Sequence, residues 1–376
     1  MIRILHTADL HLDAPFPGLG CRAARRQIDF LETFERIITA AIKNEVHLLA
    51  IAGDLFDHPR PSPLALGKVQ AGLKRLADRG IRTVLLPGTH DNLVAGSSVY
   101  RQAEFPGAVL LDQPVQAAPV ELTLAGHPVF LYGFAYRNFA SQNALDGMQR
   151  RSEEGLHIGL LHGSREGSPE WNHRKKDLPF SMSMLKGWDL DYVALGHYHG
   201  FEILQEEGRI FGCYPGSPEG KRFGENGPRH CALVTVDPRT ARVEPIAVNH
   251  RFLEEKELDL TGCTAMSEAV EKILPLANPN LLLRLTMTGT VEIPLDLAAL
   301  ESRCEGDFFY LELRDRTRLF DSAFVRQIEK EETVRGVFVR RTRELMARAD
   351  GEQRLILDEA FREVLARFKV FAGGDS

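Results

Sequence analysis

Val46-His47-Leu48-Leu49-Ala50-Ile51-Ala52-Gly53-Asp54-Leu55-Phe56-Asp57 is the stretch on which the reading of this chain turns. An apolar run of strand length delivers a carboxylate at its end and breaks at glycine, as a buried strand does when it reaches the rim of a sheet. An aspartate capping a turn or helix is the plainer role, and for one Gly-Asp pair in isolation it is the better one. The hypothesis set against it is that Asp54 bridges two metal ions whose shells are completed by other polar clusters along the chain.

Those clusters recur at the ends of other apolar runs. Residues 2–5 form a short buried strand, and the segment after it carries Asp9 and His11 two apart. On extended backbone, side chains at i and i+2 point the same way, so the pair is half a shell for a metal that accepts oxygen and imidazole. An isolated D-x-H is equally a solvated loop. From Arg22 to Asn44, Ile28, Leu31, Phe34, Ile37, Ile38, Ala41 and Ile42 recur at helical spacing, which predicts a helix lying on a sheet. Pro59, Pro61 and Pro63 hold off a second helix until about Leu64, and Leu66, Val69, Leu73 and Leu76 mark it. The strand Arg82–Leu86 then ends in Pro87-Gly88-Thr89-His90-Asp91. Alternating strands and helices make βαβ units, whose ligands gather at the carboxyl ends of the strands.

Val109–Leu111, Val120–Leu124 and Val129–Phe134 read as an antiparallel meander turning at Gly126-His127-Pro128, followed by a weaker helical stretch near Phe139–Arg151. Another apolar strand, His157–Leu161, ends in His162-Gly163. The loop after it holds Arg165, His173, Arg174, Lys175 and Lys176 beside Trp171: a solvated surface by default, with Arg174 and Lys175 as candidate contacts to substrate phosphate. Tyr192–Leu195 runs into Gly196-His197-Tyr198-His199-Gly200, and a glycine-flanked H-x-H at a strand end places two imidazoles together where backbone can approach closely. Here a metal site is preferred. Later strands near Glu202–Leu204, Ile210–Cys213, Ala232–Val236 and Val243–Val248 enclose a Gly/Pro-rich loop with Lys221 and Arg222 as further candidate substrate-binding cations.

The chain of 376 residues predicts two domains, and 44% hydrophobic with 26% charged residues is ordinary globular composition. A net charge of -6 argues against bulk electrostatic binding of nucleic acid, though two cations in an acidic pocket invert the local field. Cys21, Cys213, Cys231, Cys263 and Cys304 are odd in number and lack C-x-x-C spacing, so neither a disulfide framework nor a zinc ribbon is indicated. With no signal-peptide pattern and no apolar run of spanning length, the expected location is the cytoplasm, away from the membrane. A shift to charged composition near His250–Glu257 suggests a boundary, giving domains 1–250 and 251–376. In the second, Leu281–Met287 and Phe308–Arg314 read as strands, Met266–Leu274, Leu295–Cys304 and Ser322–Lys330 as helices, and Val334–Phe371 as two amphipathic helices parted near Asp350-Gly351.

In order, the signals are D-x-H, G-D-x-x-D, G-T-H-D, H-G and G-H-x-H. This array resembles the calcineurin-like metallophosphoesterase superfamily over roughly residues 1–250, and Leu5–Leu12, Gly53–Asp57 and Tyr214-Pro215-Gly216-Ser217 look like its SbcD-like and YhaO-like DNA repair exonucleases. The resemblance implies a four-layer α/β/β/α sandwich with a smaller C-terminal α+β domain that caps the cleft and binds a partner. It implies two divalent ions, Mn2+ by family preference and otherwise Fe2+, Zn2+ or Mg2+. Asp9, His11, Asp54 and His199 would hold one, and Asp54, Thr89, His162 and His197 the other. A bridging carboxylate suits two dications roughly 3.5–4 Å apart. A metal-activated hydroxide would attack the phosphodiester in line, with His90 stabilising the transition state or protonating the leaving oxygen and Asp91 orienting His90. Thr89 stands where the family has asparagine, which predicts a weaker second ion or a water in that place; Asn92 is a poor substitute, and Asp57 is a supporting or outer ligand of open role. The functions expected are a DNA exonuclease or endonuclease working with an SMC-like ATPase, with a homodimer as a further arrangement. The alternatives are a phosphodiesterase on nucleotides or small phosphoesters, and a weakly active regulatory subunit of such an ATPase complex.

Overall fold

The computed structural model describes residues 1–372 apart from 95, 115–117, 136–141, 153, 172–177 and 320–321; at 142–144, 322–324, 359, 362, 366–367 and 369–372 only the backbone is described. The chain divides into two compact units, Met1–Phe252 and Leu253–Ser376.

The first unit holds two six-stranded sheets. One contains β1 (Ile2–Thr7), β2 (Leu48–Ala52), β3 (Arg82–Leu86), β4 (Ala108–Leu110), β11 (His230–Asp237) and β12 (Thr240–Ala247), in the order β12-β11-β1-β2-β3-β4. The other runs β5-β6-β7-β8-β10-β9, from β5 (Val120–Leu124), β6 (His127–Tyr132), β7 (Leu156–His162), β8 (Tyr192–Gly196), β9 (Glu202–Glu206) and β10 (Arg209–Tyr214). Strand alternation explains the layers. Leu48, Ala50 and Ala52 face a core shared with Val129, Leu131, Ile158 and Leu160 of the opposing sheet. Their neighbours Leu49 and Ile51 face away, onto α1 (Ala23–Lys43) and α2 (Pro63–Ala77). Phe34, Ile37, Ile38 and Ala41 bury one stripe of α1, each worth about 1.5–3 kcal/mol for the larger side chains, and α2 starts where Ser62 Oγ accepts from Ala65 N–H with Pro63 in the first turn. On the far side of the second sheet, Tyr132, Leu161, Val193 and Leu195 pack on Leu185 of α4 (Met182–Gly187), Trp188 after it, and Leu145 and Met148 of a 3-10 turn, Gln142–Met148. Helix, sheet, sheet and helix are thus the four layers expected.

Two expectations fail here. Val109–Leu111 is no part of a meander: β4 pairs in parallel with β3 at the edge of the first sheet, after the short α3 (Val99–Gln102), while only β5 and β6 form an antiparallel hairpin in the second. Of the helical stretch Phe139–Arg151, residues up to 141 lie outside the described residues, and the helical structure beyond them is the single 3-10 turn.

The second unit has a three-stranded sheet, β13 (Phe252–Asp259), β14 (Asn278–Thr288) and β15 (Phe308–Asp315), with β14 and β15 parallel across the helix α6 (Leu297–Cys304). Leu283, Leu285, Met287 and Leu311 bury against Ala269 and Ile273 of α5 (Met266–Ile273) and Leu300 of α6. Three helices come next, α7 (Ser322–Glu329), α8 (Val334–Arg348) and α9 (Gly351–Ala372), around Val325, Ile328, Val339 and Leu365. All five cysteines are unpaired, and among the described residues no helix is long and apolar enough to cross a membrane.

Candidate metal centre

Five strand ends supply the site. β1 leads into Asp9 and His11, β2 into Asp54, and β3 into Thr89 and His90; β7 ends on His162, and β8 leads into His197 and His199. Because β1, β2 and β3 are parallel neighbours, as are β7 and β8, these carboxyl ends lie side by side. The backbone there departs from ordinary conformations. Asp9, His11, Asp54 and His197 have φ of 52°, 46°, 51° and 103°, a region that costs a non-glycine residue on the order of 1–3 kcal/mol. Specific bonds hold it: Asp9 N–H donates to Gly53 O at 3.1 Å, His11 N–H to Asp54 O at 3.0 Å, and His197 N–H to Asp9 Oδ2 at 2.9 Å. Gly53, at φ 95°, has no room for a side chain, since a Cβ would stand 2.2 Å from His162 Nδ1.

Hydrogen bonds at Nδ1 set the histidine tautomers. His162 Nδ1 lies 3.0 Å from the Ala52 carbonyl, which can only accept, so in the neutral ring Nε2 is left with a lone pair. That Nε2 is buried, has no hydrogen-bond partner, and sits 3.3 Å from Asp54 Oδ2. His11 Nδ1 donates to Asp57 Oδ1 at 2.9 Å and His199 Nδ1 to Glu225 Oε1 at 2.8 Å, which turns their Nε2 atoms toward each other at 3.3 Å. Acceptors facing acceptors at such distances need a shared proton or a cation between them. Ligand atoms of Asp9, His11 and His199 lie within 4.8 Å of one another, as do those of Asp9, Asp54 and His162. The donors present therefore fit divalent metal, with mixed oxygen and imidazole character.

The charges tell the same story. Burial acts to raise Asp54, but His162, then His11 and His90, outweigh it and hold the carboxyl well below the usual range. Burial lifts Asp9 to about 6 against the pull of His162 and His199. It lowers His11 to about 4, and His197 to about 3 with the neighbouring His162 adding to the effect. For His162 burial is overcome by Asp54 and Asp9, which raise it to about 10. Without another cation, the buried carboxylates hold a proton on His162.

A model of the calcineurin-like phosphoesterase family matches residues 2–201. The chain belongs to that family. It is 28% identical over 302 residues to the uncharacterized metallophosphoesterase YhaO of Bacillus subtilis, covering 77% of this chain and 72% of that one. Over 226 residues it is 30% identical to the DNA double-strand break repair protein Mre11 of Sulfurisphaera tokodaii, covering 58% and 54%. Over 265 residues it is 27% identical to the SbcD subunit of the nuclease SbcCD of Bacillus subtilis, covering 62% and 66%. The matched part is about half to two thirds of the length of the last two.

Within this phosphoesterase the remaining expected residues fall unevenly. Thr89 Oγ1 donates to Asp54 Oδ2 at 3.1 Å, so position 89 does reach the central carboxylate. Asn92 turns away, donating to Thr89 O at 2.8 Å and accepting from Val94 N–H. His197 joins neither group of ligand atoms among the described residues, but its ring stands edge-on to His162 with centroids 5.3 Å apart. His90, 45% exposed, lies over His11 and directs Nδ1 to the Asp57 carbonyl at 3.1 Å. Asp91 does not orient it. Its Oδ1 accepts from Gly88 N–H at 2.7 Å and its Oδ2 from Phe56 N–H at 3.1 Å and Tyr100 O–H at 2.7 Å, so the carboxylate is spent inside the fold, bracing the β2 and β3 loops. Asp57 is the group beside His90. Lys221 reaches the centre, its ammonium on Asp57 Oδ1 and 3.4 Å from His11 Nδ1, whereas Arg222 is 75% exposed and pairs with Glu225. Arg174 and Lys175 lie outside the described residues. Glu225 and Glu170 belong to the site without standing in any motif; Glu170 accepts from His199 N–H at 3.1 Å and Gly200 N–H at 2.7 Å. Neither carries a periodic or adjacent-motif signal by which the sequence alone could show it.

Proposed function

We propose that this phosphoesterase hydrolyses phosphodiester bonds in DNA, with Asp9, His11, Asp54 and His199 holding one divalent ion and Asp54, Thr89, His162 and His197 the other. The observation that carries it is the meeting of imidazole Nε2 atoms and carboxylates from the ends of β1, β2, β7 and β8 in one buried cluster. DNA is favoured as substrate by similarity to Mre11 and to the SbcD subunit of the nuclease SbcCD; the mixed Asp/His shell suits Mn2+, Fe2+ or Zn2+, and family preference favours manganese among them. The same similarity supports an SMC-like ATPase partner bound through α8 and α9, and a cytoplasmic, DNA-repair setting.

Bound there, two divalent cations supply Lewis-acid polarisation of the phosphoryl oxygen and lower the pKa of a water. The chain's own residues do the rest. Asp54 sits between the two histidine groups, so its charge offsets repulsion between the ions. His90 keeps the proton on Nδ1, held by the Asp57 carbonyl, and thereby presents Nε2 as the atom that passes a proton to the leaving oxygen when the ring is cationic. Lys221 neutralises Asp57 at the rim.

The test gives the purified chain Mn2+ with single-stranded DNA, duplex ends and a bis-aryl phosphodiester, with Asp54→Asn as control. DNA cleavage lost in the variant is the expected result. Cleavage of the small diester alone makes the protein a small-molecule phosphodiesterase, and metal uptake without hydrolysis makes it a regulatory subunit. Salt dependence of DNA binding, for a chain of net charge -6, measures how many phosphates the protein contacts.

A further inference from the structure

We propose that Ser217–Glu225 is a clamp for one of the two ions, in which Glu225 positions His199 and Lys221 positions His11 through Asp57. The inference rests on the dimetal reading above. The loop reaches two ligand histidines from one short segment. Glu225, 7% exposed, accepts from His199 Nδ1–H on Oε1, while its Oε2 accepts from the Lys221 backbone N–H at 2.7 Å. The Lys221 ammonium in turn holds the Asp57 carboxylate that accepts from His11 Nδ1. A carboxylate behind an imidazole fixes both its ring orientation and its tautomer, leaving Nε2 for the metal.

The clamp is rooted from behind. Glu219, 1% exposed, pairs with Arg26 of α1 at 2.7 Å and accepts from Thr33 Oγ1 at 2.6 Å, and Arg26 also donates to Gly220 O at 2.6 Å. Between this buried anchor and the two arms the loop has little freedom, so the facing Nε2 atoms of His11 and His199 are preset. His162 is oriented differently, by the backbone carbonyl of Ala52 in β2. The clamp therefore acts on the Asp9, His11 and His199 group and leaves the Asp9, Asp54 and His162 group alone.

Calorimetric titration of the metal-free full chain with Mn2+ tests this, comparing wild type, Glu225→Gln, Lys221→Met and, as a destabilised variant remote from the site, Leu73→Ala. Glu225→Gln is expected to weaken one ion about 10–100-fold and leave the affinity of a second ion in place. Lys221→Met should weaken that same ion by a smaller factor. Leu73→Ala should lower the melting temperature without touching either affinity. Glu225→Gln binding Mn2+ as wild type does overturns the clamp while leaving the dimetal reading intact. Equal weakening of both ions together with a melting-temperature loss like that of Leu73→Ala overturns it too, because Glu225 is then only structural. Wild type that takes up no Mn2+ overturns the dimetal reading and the clamp with it.

Discussion

Asp91→Asn separates a brace from a catalytic orienter. Three donors converge on the carboxylate: Gly88 N–H on Oδ1, and Phe56 N–H and Tyr100 O–H on Oδ2. An asparagine in the same place offers one oxygen, which can serve the Phe56 and Tyr100 donors, and then its NH2 faces the Gly88 N–H. One buried donor without a partner costs about 1–3 kcal/mol, and the opposite flip of the amide likewise strands one, the Phe56 N–H, because the Tyr100 hydroxyl can turn to accept from the NH2. Asp91→Ala leaves all three unmet and should cost more than about 3 kcal/mol. His90→Ala, at a half-exposed side chain, should stay within about 0.5 kcal/mol of wild type. Urea denaturation of the metal-free proteins at pH 8, where Asp91, raised to about 6 by burial and then by Asp54, is ionised, reads these differences directly. If Asp91→Asn unfolds at the wild-type midpoint while its hydrolysis falls as far as that of His90→Ala, the carboxylate acts through His90 and the brace is wrong.

Gly53→Ala should cost about 1–3 kcal/mol in overpacking and abolish tight Mn2+ uptake, since the new Cβ would occupy the place of His162 Nδ1, 2.2 Å away; unchanged calorimetric affinity contradicts that crowding. Thr89→Asn restores a longer amide beside Asp54 and should tighten the second ion, while no change in either affinity or rate refutes the weak-site argument. Acid stability should depend on His6, which burial lowers to about 3 although its contact with the Leu195 carbonyl works the other way. Its folded value lies below the ordinary 6.5, so the neutral ring's contribution is complete above about pH 6.5 and is lost at about 1.4 kcal/mol per pH unit down to about 3. The stability difference between wild type and His6→Gln, followed by denaturation from pH 7 to pH 4, should therefore shrink as pH falls; a difference independent of pH rejects a buried neutral His6.

Much of the first unit was legible because its strands end where apolar runs meet glycine, as at Ala52-Gly53-Asp54 and Leu195-Gly196-His197. Each break marks a rim, and a functional side chain stands at it. Sheet membership was less legible. β4 is three half-buried residues, and nothing in Ala108–Leu110 tells whether its partner lies before it in β3 or after it in β5. β13 hid for another reason: Glu254, Glu255, Lys256 and Glu257 read as a charged boundary, yet a strand with one wet face carries such residues, and Glu255 pairs with Arg284 of β14 at 2.8 Å. Asp91 misled through adjacency, since neighbours in sequence on a tight loop send their side chains to opposite sides. Glu225 was invisible because a carboxylate that meets His199 across 26 residues, with the β9–β10 hairpin between them, leaves no spacing to detect.

The centre also lies on a seam. Asp9 and Asp54 extend from one sheet, His162, His197 and His199 from the other, and the face between the sheets is apolar along β2, β6 and β7. Apolar contact has no preferred direction, so it resists separation far better than it resists sliding. The His197-to-Asp9 and His162-to-Ala52 bonds cross this seam at one end and act as a rivet, fixing the shear between the sheets. An ion seated among the same side chains tightens that rivet, and withdrawing it leaves buried carboxylates that strain the joint. The durability of the sandwich and its chemistry thus share one of the polar fastenings across the seam, beside those that His6 makes to Tyr192 and Leu195, and chelation would loosen that shared one first.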